Sequence, residues 1–157
     1  MKTIVIKTPL GNAIITGDTN GISKIQILDD VIEVSTDIPK EFQLAVEELN
    51  GYFNGTIKEF SFSINPKGTD FQKKVWEELL HIPYGKTYSY LELSKKLGDV
   101  KAIRAVASAN GKNPLWIIIP CHRVIGKDGS LTGYAGGLWR KKWLLEHENA
   151  SKQESLF

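Results

Sequence analysis

The chain has 157 residues, of which 41% are hydrophobic and 24% are charged, and its net charge is +2. These fractions are close to globular averages and argue against disordered and fibrous proteins. No segment is apolar and long enough for a signal-peptide core or a membrane span, so we expect a cytoplasmic protein without a membrane partner. One cysteine and three histidines show no zinc-ligand spacing, so we expect no metal site and no disulfide.

Charge is distributed unevenly along the sequence. Residues 1–68 carry a net charge of −3, residues 69–143 carry +7 and residues 144–157 carry −2. A solvated surface is the ordinary explanation for a block of one sign. A basic block of this size also suits a polyanionic partner.

The first half of the chain has the pattern of an antiparallel sheet with one helix. KTIVIKTP, NAIITGD and GISKIQIL predict three strands, because they are β-branched or alternating and are separated by turn residues. PKEFQLAVEELNGYFNG then predicts an amphipathic helix, and KEFSFSI predicts a fourth strand. We place the domain boundary at the NPKG turn, which gives an N-terminal domain of 1–68 and a C-terminal domain of 69–157.

The second half is predicted to be mostly helical, which makes the fold class α+β. Asp70 is expected to cap the helix FQKKVWEELLHI. SYLELSKKLG and KAIRAVASANGKN flank a tight break at Gly98-Asp99-Val100, a spacing that fits a helix-turn-helix. Any helical hairpin could produce the same spacing.

The second helix of this pair is rich in small residues around one cation, Arg104. A helix that reads base edges needs Arg, Asn, Gln or Lys on its exposed face, and here alanines dominate. Small residues are equally suited to packing against another helix. The functional alternative is a helix pressed shallowly against a duplex, without a sequence code and with Arg104 protruding.

The only cysteine, Cys121, stands in PCHRVIG after the β-branched run LWIIIP, which predicts a buried strand. A lone cysteine is most often a small buried hydrophobe. The adjacent pair His122-Arg123 suggests instead a reactive thiol, because cationic neighbours raise the thiolate fraction. After the turn GKDGS, the loop TGYAGG has glycines that permit positive φ at Gly133, Gly136 and Gly137.

The last predicted helix is LWRKKWLLEHE, with Trp139, Trp143 and Leu144 expected to face the core. Glu148 follows one turn beyond Leu144. An acid at that position is usually solvated.

Taken together, PCHRVIG, the preceding RAV and NGKNP, and the following GYAGGL and WLLEHE resemble the O6-alkylguanine-DNA alkyltransferase family. The resemblance covers about residues 69–148, with weaker cues in TPLG and LNGYFNG. It implies an N-terminal RNase H-like sheet lobe and a C-terminal helical lobe whose helix-turn-helix binds double-stranded DNA. Binding would be in the minor groove, without sequence specificity, by a monomer that needs no cofactor.

The resemblance also implies a function and a set of site residues. The activity is that of a methylated-DNA–protein-cysteine S-methyltransferase, which repairs O6-alkylguanine by one suicide transfer and leaves O4-alkylthymine open as a substrate. The implied catalytic residues are Cys121 (nucleophile), His122 (base through a water), Glu148 (which orients His122), Asn113 (which holds the active-site turn) and Tyr90. The implied DNA contacts are Arg104, Tyr90, Ala105, Ser108 and Lys101, and the implied substrate pocket contains Tyr134, Ala135, Val124, Asn110 and Gly136.

The chemistry of these residues supports the implied alkyl transfer. A base must leave the duplex before chemistry, and an inserted Arg104 could offset part of that cost. Nothing in the chain could remove an alkyl group from the thioether, so we expect one turnover, with His122 making Cys121 a thiolate. Two alternatives stay open: a non-catalytic module that binds alkylated DNA, with Cys121 as a buried spectator, and a thiol hydrolase using Cys121 and His122.

Overall fold

The computed structural model describes residues 1–30, 32–129, 131 and 133–148. The chain forms two compact units. One contains Met1–Lys67 together with Pro114–Trp116, and the other contains Gly68–Asn113 and the chain from Ile117 onward. The domain division 1–68 and 69–157 stays a prediction, and residues 149–157 lie outside the described part. The structure groups Pro114–Trp116 with the first unit, whereas the predicted division places these residues in the C-terminal domain.

The first unit contains the three-stranded antiparallel sheet that the sequence predicts. Its strands are β1 (Lys2–Thr8), β2 (Gly11–Asp18) and β3 (Gly21–Leu28), in the order β1-β2-β3. Ile4 faces Ile15 across the first pair, and Ile15 faces Ile25 across the second. These side chains lie on one face of the sheet and are buried. Alternation with period two therefore fixes the register, because a slip of one residue would expose them all.

Helix α1 (Lys40–Asn54) packs against the three strands, as its amphipathic pattern predicts. Its buried residues Phe42, Ala45, Leu49 and Tyr52 recur every three to four positions. Together with the isoleucines of the sheet they form the core of the first unit. A helix on one side of an antiparallel sheet confirms the α+β class.

The expected strand KEFSFSI does not form. Only Ile64 makes a bridge, to Ile22, flanked by backbone hydrogen bonds on either side. Upstream, the side chain of Glu48 accepts hydrogen bonds from the backbone N–H groups of Ser61 and Phe62, at 2.8 and 3.1 Å. A carboxylate of α1 therefore satisfies backbone donors that a neighbouring strand would otherwise pair.

The second unit is mainly helical. It contains α2 (Asp70–Leu79), α3 (Tyr90–Lys96), α4 (Ile103–Gly111) and α5 (Leu138–His147), with 3-10 turns at Val100–Ala102 and Cys121–Arg123. Helices α3 and α4 pack together across the short break between them, so the helix-turn-helix is confirmed. A short parallel pair, β4 (Tyr88–Ser89) with β5 (Val124–Ile125), was not predicted.

Capping boxes start two of these helices. The N-cap of α2 is Thr69, which exchanges hydrogen bonds with Gln72, so the predicted cap Asp70 is wrong by one residue. The hydroxyl of threonine reaches the third backbone N–H of the helix, and Asp70 becomes the first helical residue. Ser89 and Glu92 form the same arrangement at the start of α3.

The predicted buried strand LWIIIP is wrong in its conformation, although its side chains are buried. Only Leu115 makes a bridge, to Ile25, and turns follow from residue 116. Ile117 has a φ of 77°, which is strained for a β-branched side chain. The side chain of Asn113 donates to the carbonyl of Ile119 at 2.7 Å and supports the compact path.

Two details after Cys121 also differ from expectation. Of the three glycines in the loop, only Gly137 has a positive φ, at 92°. Trp139 is 51% exposed and not part of the core, whereas Leu144 is buried as predicted. Lys141 takes a place on the buried stripe of α5, one turn before Leu144. Among the described residues, no helix is long and apolar enough to cross a bilayer.

The contact between Gly68 and the buried Trp76 yields a stability prediction. A Cβ at Gly68 would collide with the Trp76 ring, which is held by a 2.9 Å hydrogen bond from its Nε1 to the carbonyl of Ala109. We expect Gly68→Ala to lower the free energy of unfolding by about 1–3 kcal/mol in urea titrations. Gly111→Ala is the matched control, because its Cβ would meet nothing within 4 Å. Equal stability of the two variants would contradict this packing argument.

Candidate active site and DNA interface

Cys121 begins a 3-10 turn, Cys121–Arg123, that directly follows Pro120. Its backbone N–H donates to the carbonyl of Ile119 at 2.8 Å, and the same carbonyl accepts the side chain of Asn113. The thiol is 4% exposed. Asn113 therefore holds the turn that carries the cysteine, the position that the resemblance implies for it.

His122, Arg123 and Glu148 form one buried cluster. The Nε2 of His122 lies 2.8 Å from Oε2 of Glu148. Arg123 donates to the same carboxylate from Nε at 2.8 Å and from its Nη2 at 3.0 Å, and its Nη1 donates to the carbonyl of Ile82. Glu148 is 1% exposed, so it is not the solvated acid that usually occupies a helix end.

The protonation states of this cluster follow from burial and charge. Burial alone would raise the pKa of Glu148, but its interactions with His122 and Arg123 lower it well below the usual range. Burial lowers the pKa of His122 more than Glu148 raises it, which favours a neutral imidazole at neutral pH. Because the carboxylate of Glu148 can only accept, Nε2 of His122 must donate, and the ring proton is therefore on Nε2. The Nδ1 atom is then an acceptor, and it has no partner among the described residues.

Burial disfavours the thiolate form of Cys121. It raises the pKa of the thiol to about 11, although the hydrogen bond from Asn113 and the charge of Lys141 act in the opposite direction. Burial thus opposes the expectation that His122 makes Cys121 a resting thiolate, which stays a prediction. A neutral imidazole supplies no positive charge to stabilise the anion. Reaction at sulfur thus requires that the proton leave as the bond forms.

Lys141 is a second buried cation, in contact with the residue that follows the turn. Its Nζ donates to the carbonyl of Val124 at 2.6 Å. Burial lowers its pKa to about 8, while the charge of Cys121 as a thiolate acts to raise it. A cation so placed favours negative charge on sulfur during the reaction.

A pocket of about 370 Å³ lies beside Asn110, and the cysteine turn itself is not among its lining residues. The pocket is lined by Tyr90, Ala107, Asn110, Gly111, Gly133, Tyr134 and Ala135. The Nδ2 of Asn110 donates to the carbonyl of Cys121 at 3.5 Å, which links the pocket wall to the cysteine. Two aromatic rings on a concave wall are typical of sites that bind a flat apolar or aromatic group.

Helix α4 has an exposed face of the expected composition. Lys101, in the 3-10 turn that leads into α4, and Arg104, Ala105 and Ser108 of the helix are exposed, while Val106, Ala109 and Asn110 are buried. Two cations and two small residues therefore share one face. Such a face can approach a polyanion closely without offering a set of base-reading side chains.

The structure brings most of the predicted site residues together in the second unit. Cys121, His122, Glu148 and Asn113 surround the turn, and Tyr90, Asn110, Tyr134 and Ala135 line the pocket. Val124 and Gly136 are buried beside it, where their carbonyls accept from Lys141 and Arg140 respectively. Their predicted place in the pocket wall is not among the lining residues.

Sequence reasoning missed the roles of Arg123 and Lys141. Arg123 was treated only as a cationic neighbour of the thiol, yet its guanidinium holds Glu148. Lys141 could have been found from its spacing, since Lys141, Leu144, Leu145 and Glu148 recur on one helical stripe. Within the described ranges, no group of three or more His, Cys, Asp or Glu side chains is arranged to hold a metal ion.

Two family models match the chain in succession. Residues 1–66 match the model "6-O-methylguanine DNA methyltransferase, ribonuclease-like domain", in agreement with the expected RNase H-like lobe. Residues 70–150 match the model "6-O-methylguanine DNA methyltransferase, DNA binding domain".

Individual proteins are similar over nearly the whole chain. A methylated-DNA–protein-cysteine methyltransferase of Mycobacterium bovis is 46% identical over 149 residues, covering 92% of this chain and 90% of the relative. A crystal structure of the Mycobacterium tuberculosis O6-methylguanine methyltransferase superposes with a TM-score of 0.84 at 44% identity, covering 94% and 92% of the two chains. A structure of the M. tuberculosis protein in complex with DNA gives 0.84 at 45% identity, covering 93% and 91%. By both halves of its sequence, the chain belongs to the 6-O-methylguanine DNA methyltransferase family.

Proposed function

We propose that this protein repairs O6-alkylguanine in DNA by transferring the alkyl group to Cys121, once per molecule. The observation that carries the proposal is the position of the only cysteine. It directly precedes the buried His122–Glu148–Arg123 cluster, and its carbonyl contacts Asn110 in the wall of a pocket that also contains Tyr90 and Tyr134. Membership of the family supports the reaction, and DNA is the partner.

The transfer can be written with atoms and electrons in balance. The thiol proton of Cys121 moves to Nδ1 of His122, directly or through a water. Sulfur then attacks the alkyl carbon, the S–C bond forms and the bond from carbon to O6 breaks. The electron pair stays on guanine, which takes a proton from the Tyr90 hydroxyl, the donor that we propose. The imidazolium of His122 then returns the thiol proton to the Tyr90 phenolate through water, so that overall this proton replaces the alkyl group on guanine. The product is a thioether, and the described site offers no group to cleave it.

The cluster behind His122 supports the proton transfer. Glu148 fixes the tautomer with the proton on Nε2 and stabilises the imidazolium that forms when Nδ1 accepts the thiol proton. Arg123 keeps Glu148 ionised. Lys141 adds a positive charge near the sulfur. Together these residues stabilise the ion pair of thiolate and imidazolium that develops during the reaction. Stabilisation of the transition state, and not of the resting state, is what accelerates the transfer.

For DNA binding, we propose contact through the exposed face of α4. Lys101, Ala105 and Ser108 lie on the face that approaches the minor groove, without sequence specificity, and Arg104 enters the stack in place of the flipped base. Tyr90 displaces the phosphate of that nucleotide. The flipped guanine enters the pocket between Tyr90, Tyr134 and Ala135. We further propose that residues 1–68 and 69–157 act as two domains of a cytoplasmic monomer.

One observation favours the alternative of a non-catalytic module that binds alkylated DNA. The thiol of Cys121 is buried, with a pKa raised to about 11, as expected for a spectator. Alkyl transfer adds mass to Cys121, whereas a module that only binds the lesion leaves its mass unchanged.

Intact mass after incubation with a duplex containing O6-methylguanine decides between them. We expect a gain of about 14 Da, confined to Cys121 and saturating at one equivalent. Cys121→Ser is the matched control, because it keeps the shape of the site and removes the nucleophile. Binding of the duplex with no change in mass would leave the non-catalytic module as the function.

Replacing Glu148 by Gln tests the cluster. Gln cannot stabilise an imidazolium, so we expect the single-turnover rate of alkyl transfer to fall by about 10²-fold or more. It also leaves the Arg123 charge buried without its counter-ion, so we expect a loss of about 3–5 kcal/mol in the free energy of unfolding at pH 7. Quench-flow kinetics and urea titrations are the two measurements.

The pH dependence of the free energy of unfolding is the control for the Glu148→Gln variant. The pKa of Glu148 is lowered in the folded protein, so its stabilisation is present above the unfolded carboxyl value and is lost as pH falls toward the folded value. The stability difference between wild type and Glu148→Gln should therefore shrink below about pH 4. A difference that stays constant from pH 7 to pH 3 would show that the ion pair is not its source.

Arg104→Ala tests base extrusion. We expect the rate of transfer at saturating duplex to fall by roughly 10-fold to 100-fold, since unstacking costs a few kcal/mol. Binding to undamaged duplex should weaken much less. Lys112→Ala removes another exposed cation at the end of α4 and should change binding only. An equal effect of both variants on the saturated rate would refute the insertion of Arg104.

A further inference from the structure

Arg140 is a buried cation that the proposed transfer does not use. It stands in the first turn of α5, and the residue is 5% exposed. Its Nη1 donates to the carbonyl of Gly136 at 2.9 Å. Arginine is rarely buried unless its guanidinium makes strong contacts, so its position against the loop that precedes α5 indicates a specific role.

Arg140 completes the hydrogen bonding of the turn that leads into α5. The backbone N–H of Gly137 donates to the carbonyl of Tyr134 at 2.9 Å, which closes the turn. Gly137 has a φ of 92°, and the helix begins at the next residue. Gly136 is buried, and its carbonyl is the acceptor that the guanidinium binds. A charged donor from the helix therefore holds the end of the turn in place.

The ring of Trp139 covers the guanidinium of Arg140. The Cζ atom of Arg140 lies 4.6 Å from the centre of that ring. Trp139 itself is half exposed. An aromatic face attracts a cation, and a ring at this position also shields the hydrogen bond to Gly136 from water. The contact gives a reason for a tryptophan at the surface of α5.

The loop that Arg140 binds, residues 133–137, forms one wall of the pocket and is called the pocket loop below. Its residues Gly133, Tyr134 and Ala135 line the pocket together with three residues of α4. Helix α4 packs against α2 and α3, whereas Gly133 and Ala135 are exposed. A Cβ at Gly133 would meet nothing within 4 Å. The pocket loop therefore has room to move, and the packed helical wall does not.

The charge of Arg140 also acts on the phenol in the pocket loop. Burial raises the pKa of Tyr134 well above its ordinary value, and the charge of Arg140 acts in the opposite direction. Such an influence requires the guanidinium to lie near the phenol, because the interaction falls off with distance. Arg140 is thus connected to the pocket wall both through a backbone carbonyl and through a side chain.

We propose that Arg140 is a positioning residue that, covered by Trp139, holds the pocket loop through Gly136 and so limits the size of the alkyl group that the site accepts. The inference rests on the alkyl transfer proposed above and concerns the substrates of that same site. Every O6-alkylguanine brings the same base, so these lesions differ in the space that their alkyl groups need. A group larger than methyl requires one wall to move, and the pocket loop is the wall with room to do so.

The test compares a small and a large alkyl group on the same base. O6-methylguanine and O6-benzylguanine are placed in otherwise identical duplexes, and time courses of intact mass give the second-order rate constant of each transfer. The readout is the benzyl-to-methyl ratio of these constants. Arg140→Met keeps a long side chain and removes the charge and the donors, so we expect this ratio to rise about 10-fold over wild type. A loss of folded protein would lower both rate constants together and leave the ratio unchanged.

Two surface variants test the cover over the guanidinium. Trp139→Ala exposes Arg140 to water without removing it, so we expect the benzyl-to-methyl ratio to rise about 2-fold to 5-fold. Leu138→Ala is the matched control, because it removes an exposed apolar side chain from the same turn of α5. It should leave the ratio at the wild-type value. Comparing ratios across variants cancels the different intrinsic reactivity of the methyl and benzyl groups.

Each outcome decides the inference. The same ratio in wild type and Arg140→Met would overturn it, as would a ratio in Leu138→Ala as high as that in Trp139→Ala. If Arg140→Met does not fold, the exposed position of Trp139 keeps the test available, and an unchanged ratio in Trp139→Ala would then overturn the inference. Failure of the proposed function looks different, since wild type would gain no mass from either duplex.

Discussion

The carboxylate of Glu148 is the group on which the proposed chemistry depends. It accepts from His122 on one side and from Arg123 on the other, and Arg123 also reaches the carbonyl of Ile82 just beyond α2. One buried anion thus joins the end of α5, the turn that follows Cys121 and the segment after α2. Such a group tolerates little change, because loss of any partner leaves a buried charge or polar atom unsatisfied.

The same arrangement explains how a buried site can remain unreactive until a substrate arrives. Burial favours the neutral thiol of Cys121 and the neutral imidazole of His122. The charges of Glu148 and Lys141 are already in position for the ion pair that we propose to form during transfer. Electrostatic stabilisation that is already in position costs no reorganisation when the reaction occurs.

The sequence predicted those parts of the fold whose side chains repeat with a clear period. The three strands and α1 have strong patterns, and the helices of the second unit have caps or apolar stripes. Two predicted strands failed for a shared reason. Residues 58–64 alternate between polar and apolar side chains and residues 115–120 are apolar, but their backbone groups meet a carboxylate of α1 and an asparagine side chain, which no local pattern reveals.

The candidate site, like the fold, was predicted only in part. The family resemblance supplied Cys121, His122, Glu148 and the pocket residues, whereas Arg123 and Lys141 were missed because buried cations contradict the usual preference of charged residues for the surface. The sequence also did not reveal that burial opposes the expected thiolate. Burial is a property of the folded chain, and it raises the pKa of Cys121.

The buried thiol has a consequence for a protein that reacts only once. Burial raises the pKa of Cys121 and so favours the thiol over the thiolate at neutral pH. Peroxides and soluble electrophiles attack the thiolate, and they must also reach a side chain that is 4% exposed. We therefore expect burial to slow side reactions at the one sulfur that each copy uses in the proposed transfer, so that the number of copies, more than their age, sets the repair capacity of a cell.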